Sequence, residues 1–363
     1  MNTDKKTFHV FLRINLICVY PCISVVKFLR ISAMNILIRS ITMSVTKRFL
    51  ISSFTILTLT ICAAQFASAQ LRLPRPSQSA SVMQTIGVTD VTITYSRPAV
   101  KGRTIFAGAP ASMEARAKGE ATLDNQNERL KDEPIVPYGH IWRTGANEAT
   151  QFVVTDDVTV NGQKLTAGSY SLHSIPGKDE WTFVFNGTAN QWGSFNYDPA
   201  KDTLRIKAKP QWLADSQEFM QFSIEPATDK SATVNLRWEK ARVPFIVEVD
   251  VPKTTLAKAR MAVAAAKPDD WRTPFQAAGF ANQNGEKEDA AKWIEQALKV
   301  LDTSIDAKET FQNLAGKANV LLAAGRKDEA LAAADRAIAR GKADKADTTA
   351  FEKRFADVKA GKN

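Results

Sequence analysis

Arg143, Asn147 and Glu148 stand close together in the stretch YGHIWRTGANEAT, residues 138–150. The Arg143 guanidinium is a planar fork of five donors that matches a carboxylate. Glu148 lies across a Thr144-Gly145 turn, which makes it a candidate partner. Asn147 is of a type that hydrogen-bonds turn backbone through its own side chain. Two readings follow. As a brace, an Arg143–Glu148 pair and the Asn147 amide stiffen an irregular connection before the strand-like ATQFVVT. As a site, Arg143, Asn147 and Glu148 line a pocket capped by Trp142. The brace ranks first, because buried polar networks are often structural. A second stretch, NQWGSFNYD (190–198), sets Trp192 and Tyr197 among amides. Such a surface stacks on sugar or peptide faces; the alternative is a loop folded back to plug one end of the fold. The candidate binding residues are thus Trp142, Arg143, Asn147, Glu148, Trp192 and Tyr197.

Other chemistries find little support. All three cysteines, Cys18, Cys22 and Cys62, lie within the first 69 residues. The rest of the chain then has no thiol, no disulfide and no cysteine-ligated metal. Only His140 and His173 remain there, without an H-x-H or H-E-x-x-H spacing, so no metal site is expected. There is no G-x-S-x-G elbow and no glycine-rich phosphate loop. No cofactor is expected. His173 sits in GSYSLHSIPG, where alternation sets Tyr170, Leu172 and Ser174 on one face and Ser169, Ser171 and His173 on the other; it reads as a half-exposed strand histidine. One enzymatic alternative survives, a carboxylate-based hydrolase of glycans or peptides pairing Glu148 with Asp198 or Asp202.

The net charge of +10 is concentrated at the start of the chain. Residues 1–69 hold eight Lys and Arg against Asp4 alone, a surplus of seven, which leaves +3 for the remainder. A nucleic-acid partner is therefore not expected. From Met43 the order is Lys47-Arg48, an apolar run, then Ala67-Ser68-Ala69 before Gln70, the layout of a secretory signal peptide. Residues 1–69 read as a targeting segment with cleavage after Ala69 and Met43 as the true start. That implies export to the periplasm or surface of a Gram-negative bacterium, with no lasting membrane span.

The elements that must position the candidates change character along the chain. After a linker at 70–81, residues 82–252 read as eight or nine short strands. Asp156-Asp157, Asn161-Gly162, Ala167-Gly168, Pro176-Gly177, Thr228-Asp229-Lys230 and Glu239-Lys240 serve as their turns. This predicts an antiparallel β-sandwich, jelly-roll-like, with a polar insertion at 108–134 that carries one short helix at most. Trp181 and Trp238 fall in strand patterns and read as core. Residues 254–363 turn helical and alanine-rich. GEKEDAAKWIEQALKV (285–300) aligns with GRKDEALAAADRAIAR (325–340), matching Ala290 with Ala330 and Ala297 with Ala337. The pattern predicts a short stack of tetratricopeptide-like repeats, with the excess over the usual period in the loop DTSIDAK.

VPYGHIWRTGANEAT, GQKLTAGSYSLHSIPGKDEWTFVFN, QWGSFNYDPAKDTLRIKAKP and SATVNLRWEKARVPFIVEV occur in that order. Together they make residues 74–252 resemble domain of unknown function 2911, a family of secreted Bacteroidetes proteins often followed by tetratricopeptide-like helices. Trp142, Arg143, Gly145, Ala146, Asn147 and Glu148 match its first motif. Gly168, Tyr170, Ser171, Pro176, Trp192, Gly193, Tyr197 and Arg205 match the later ones. Two departures are His173, where the family has an aromatic such as Phe, and the longer 108–134 insertion. The resemblance implies no activity. The leading expectation is an exported binding protein with a β-sandwich site for a glycan or peptide and helices for a protein partner. A hydrolase and a purely structural envelope module are the alternatives.

Overall fold

The computed structural model describes residues 73–116 and 129–362; the expected signal segment, and residues 117–128 of the insertion, lie outside the described residues. The described strands and helices belong to one compact unit, Pro74–Asn363. Among the described residues, twelve strands are followed by six helices, so a β region precedes an α region.

Six strands form one antiparallel sheet in the order β1 (Gln78–Ile86), β2 (Thr89–Arg97), β5 (Thr150–Val154), β8 (Gly168–Ile175), β9 (Trp181–Asn186) and β10 (Asp202–Ala208). Four make the second: β11 (Gln211–Thr228), β12 (Ser231–Glu248), β6 (Val158–Val160) and β7 (Gln163–Leu165). Alternation drives the packing. In β2, Val91, Ile93 and Tyr95 are buried while Thr92 and Thr94 face outward. The two sheets meet face to face through rings: Phe183 lies 5.0 Å from Phe245, and Tyr95 lies 5.1 Å from Phe222.

β8 and β9 depart from alternation. Leu172, His173 and Ser174 are all fully buried, as is every residue from Phe183 to Asn186. The second face of these strands is covered by the connection 187–201. The Gln191 amide from that connection donates to Ser171 Oγ at 3.0 Å, and the Tyr197 ring lies 5.1 Å from His173. His173 is therefore a buried residue and not the half-exposed one its alternation suggested.

The expected turn at Glu239-Lys240 is not a turn. β12 runs through it, with Glu239 at φ +51 and the register shifted, so one bent 18-residue strand stands where two short ones were expected. Asn161 and Gly162, at φ 46 and 77, do close the β6–β7 hairpin. The insertion leaves and re-enters through a short parallel pair, β3 (Phe106–Ala107) with β4 (Val136–Pro137), and contains helix α1 (Ala111–Arg116).

The helices are α2 (Val251–Ala264), α3 (Arg272–Gln283), α4 (Lys287–Ala307), α5 (Phe311–Ala323), α6 (Lys327–Ala343) and α7 (Thr349–Lys359). Asp250 caps α2 by accepting from the Lys253 amide. Gly285 and Gly325, at φ 81 and 75, make equivalent turns into α4 and α6. The aligned Ala290, Ala297, Ala330 and Ala337 are all buried. DTSIDAK is not a loop; α4 continues through it to Ala307. Gly87, at φ +60, lets α2 approach the β1–β2 hairpin: a Cβ there would lie 2.4 Å from a Val251 methyl.

Candidate functional site

Residues 142–148 form a tight turn between a bridge to β8 and the start of β5. Trp142 and Ser174 exchange two main-chain hydrogen bonds, of 2.8 and 2.9 Å. Thr144 and Asn147 both take left-handed backbone, at φ 54 and 61. That is costly for a β-branched residue. Thr144 is held there through both its hydroxyl and its carbonyl. Its hydroxyl donates to Ser174 Oγ at 2.9 Å and its carbonyl accepts from Thr150 Oγ1 at 2.6 Å. The Thr150 amide in turn donates to the Arg143 carbonyl at 3.1 Å. Between them, Gly145 is crowded: a Cβ would sit 3.1 Å from the Ser96 carbonyl oxygen and 3.2 Å from Thr150 Oγ1.

The expected Arg143–Glu148 pair does not form. Arg143 Nη1 donates to the Asn147 carbonyl at 2.9 Å, which closes the turn on itself. Glu148 is paired instead with Arg75, whose Nη1 lies 2.6 and 2.9 Å from its two carboxylate oxygens. The turn directs the Arg143 and Glu148 side chains to different neighbours, so proximity in sequence did not become a contact. Asn147 Nδ2 donates to the Ser77 carbonyl at 3.1 Å and to Ser96 Oγ at 3.2 Å. It thereby ties the turn to the entry of β1 and to β2.

Trp142 is 2% exposed and stacks on Trp238 at 5.8 Å, with Trp181 at 6.3 Å. Its indole N–H donates to the Gly145 carbonyl at 3.1 Å. It walls the core and does not cap a surface site. Trp192 is the opposite case, 54% exposed. Its backbone is fixed by a bridge to Glu148, with the Ala149 amide on the Gln191 carbonyl and the Gly193 amide on the Asn147 carbonyl, both at 2.9 Å. Its ring stands beside the charge pair, 5.7 Å from the Arg75 guanidinium carbon. The 190–198 connection is thus not a plug at the end of the fold. It lies across the outer face of β8 and β9 and presents Trp192 at its margin.

Tyr197 belongs to a different set of contacts. Its hydroxyl donates to Asp202 Oδ2 at 2.8 Å and accepts from Arg205 Nη2 at 2.9 Å. Asp202 also receives Arg205 Nε at 2.9 Å and Asn186 Nδ2 at 2.8 Å. Burial first, then the hydrogen bond to Asp202 and its charge, push the Tyr197 hydroxyl up to about 12. At Glu148, burial alone would raise the carboxyl. The hydrogen bond and charge of Arg75, with a backbone hydrogen bond, outweigh burial and hold it below the usual carboxylate range. The structure therefore brings Glu148 and Trp192 together at an exposed rim and sets Arg143 and Asn147 behind them. Trp142 goes to the core and Tyr197 to the outer face of the sheet.

Arg75, Ser77, Thr144 and Gln191 shape this region and were not among the sequence candidates. The only local signal for Arg75 was its place between Pro74 and Pro76. No group of three or more His, Cys, Asp and Glu among the described residues is placed to hold a metal ion. A cleft of about 1050 Å³, lined among others by Asp156, Lys164, Lys230 and Glu248, opens elsewhere, beside the start of α2. It includes none of the six candidates.

Residues 77–247 match the family model described as Protein of unknown function (DUF2911). No curated protein and no solved structure matches the chain. The DUF2911 match begins at Ser77, whose carbonyl holds Asn147, and runs to Val247 near the end of β12. Arg75 lies just outside the matched residues. Among the described residues no helix is long and apolar enough to cross a membrane.

Proposed function

We propose that this chain is an exported binding protein of the bacterial envelope, with its ligand site on the face made by Glu148 and Trp192. Arg143 and Asn147 set the backbone of that face. The observation that carries the reading is the treatment of Trp192. Its main chain is pinned on both sides, yet the residue stays 54% exposed, its ring 5.7 Å from the Arg75 guanidinium that the Glu148 carboxylate holds. An aromatic face next to an acceptor suits sugar or peptide ligands. On this reading the sandwich is jelly-roll-like and α2–α7 form tetratricopeptide-like repeats that offer a surface to a protein partner.

Binding is favoured over hydrolysis by what occupies the carboxylates. A general acid is kept protonated near neutral pH, whereas Arg75 holds Glu148 in its charged form. Its suggested partners are committed elsewhere. Asp202 receives Tyr197, Arg205 and Asn186, and Asp198 caps the short turn at Ala200. The test is a thermal-shift screen of the purified full chain against glycan and peptide libraries. A hit that disappears in Trp192→Ala and persists in Trp212→Ala, the other partly exposed strand-region tryptophan, supports the site. A screen without hits leaves a structural module as the better reading.

A further inference from the structure

We infer that the Glu148–Trp192 face reads a guanidinium carried on an extended peptide, and that Pro74–Ser77 is the occupant the chain supplies to itself. The inference rests on the binding reading above and names its ligand class. Three contacts carry it. Arg75 Nη1 sits between both Glu148 carboxylate oxygens, at 2.6 and 2.9 Å. The same guanidinium lies 5.7 Å from the centre of the Trp192 ring. Two residues on, the Ser77 carbonyl accepts from Asn147 Nδ2 at 3.1 Å. The first two contacts recognise a side chain and the third recognises main chain, which is how an extended peptide is read.

The chemistry selects arginine. A planar guanidinium donates in its plane to the carboxylate and offers its face to the indole, whereas an ammonium is a compact, strongly hydrated charge. The segment itself is suited to the role. Pro74 and Pro76 flank Arg75. Each fixes its own φ, and Pro76 biases Arg75 to extended backbone. The segment therefore projects its arginine at little ordering cost.

The clasp is also weak enough to open. The Arg75 and Glu148 side chains are 52% and 50% exposed, and ion pairs this exposed contribute little net stability. A partner segment carrying arginine then competes with Arg75 on nearly equal terms.

The experiment uses the full chain, its Arg75→Ala variant and a fluorescent peptide LPRPS, which repeats residues 73–77. Anisotropy is expected to show binding to both, tighter to Arg75→Ala by about two- to sixfold, because the weak internal competitor is gone. Replacing the peptide arginine by lysine should weaken binding, and replacing it by glutamine should weaken it further, by up to about fivefold. Adding Glu148→Gln or Trp192→Ala to Arg75→Ala should weaken it to a similar degree, and adding Trp212→Ala should leave it unchanged. Unchanged far-ultraviolet circular dichroism verifies that each variant is folded. The inference is overturned if Arg75→Ala fails to bind the peptide, or binds the glutamine peptide equally well. If that happens while a glycan hit is still lost in Trp192→Ala, only the guanidinium inference falls. If no compound binds at all, the binding reading falls with it.

Discussion

Glu148 pairs with Arg75, 73 residues upstream, and not with Arg143 five residues before it. The left-handed backbone at Asn147 separates the two motif side chains: Arg143 folds onto the Asn147 carbonyl while Glu148 turns outward. The motif is therefore a self-closed turn that presents one carboxylate and, across a main-chain bridge, one indole.

Because the Arg75–Glu148 pair is half exposed, removing it should cost less than about 1 kcal/mol. Arg75→Ala should barely move the urea midpoint, yet raise the pH at which Glu148 titrates toward the ordinary carboxylate value. The sign follows from linkage. A carboxyl whose folded value is depressed adds stability above its unfolded pKa and loses it as pH falls through the folded value. The wild-type chain should thus keep the pair at neutral pH and release it only in acid below the usual carboxylate range. Carboxyl-carbon chemical shifts followed through an acid titration measure both values.

The turn interior should be far less tolerant. Thr144→Val replaces a hydroxyl that donates to buried Ser174 by a methyl, and should destabilise the chain by about 1–3 kcal/mol. Gly145→Ala forces a Cβ against the Ser96 carbonyl and Thr150 Oγ1, with a cost of the same order. Urea unfolding measures both. A loss under about 0.5 kcal/mol in each, the range of an ordinary surface change, would mean the turn is not clamped as described.

Much of this architecture is legible in the residues. Asn161-Gly162 marks its hairpin, Val91, Ile93 and Tyr95 mark a sheet face, and Gly285 and Gly325 mark equivalent helix entries. These signals are local, and local rules carry them. The misses are non-local. His173 alternates like a half-exposed residue, but no period in β8 records that residues 187–201 fold over its second face. Glu239-Lys240 has turn composition, yet pairing with β11 carries the strand through it as a bulge. DTSIDAK lacks a strong apolar stripe, but α4 extends over it. Of the candidate site, Glu148 and Trp192 were recognised by type. Their partner Arg75 was not, because nothing between residues 75 and 148 encodes the contact except the fold.

Tyr197 offers a titration of the outer face. Burial and Asp202 together raise its hydroxyl to about 12. Asp202→Asn removes the charge part and should bring it back toward the ordinary tyrosine value, as read by ultraviolet titration in alkali. A raised folded value contributes stability below the unfolded pKa and loses it as pH rises through the folded one. The wild-type chain should therefore lose stability between about pH 10 and 12, and Asp202→Asn over a narrower interval.

The two candidate tryptophans should separate cleanly. Trp142→Ala empties a fully packed core position and should cost about 3–5 kcal/mol. Trp192→Ala removes a ring that is more than half exposed and should stay within about 0.5 kcal/mol. Urea melts of the two variants check this, and similar costs would mean that Trp192 is a structural plug.

The most direct test of the exposed face is the indole N–H resonance of Trp192 in the full chain, assigned by its loss in Trp192→Ala and followed as the LPRPS peptide is added. Trp192 should show a saturable shift, larger in Arg75→Ala, while buried Trp142 stays unmoved. A shift confined to Trp212 or the helical-region tryptophans, or no shift at all, would contradict this.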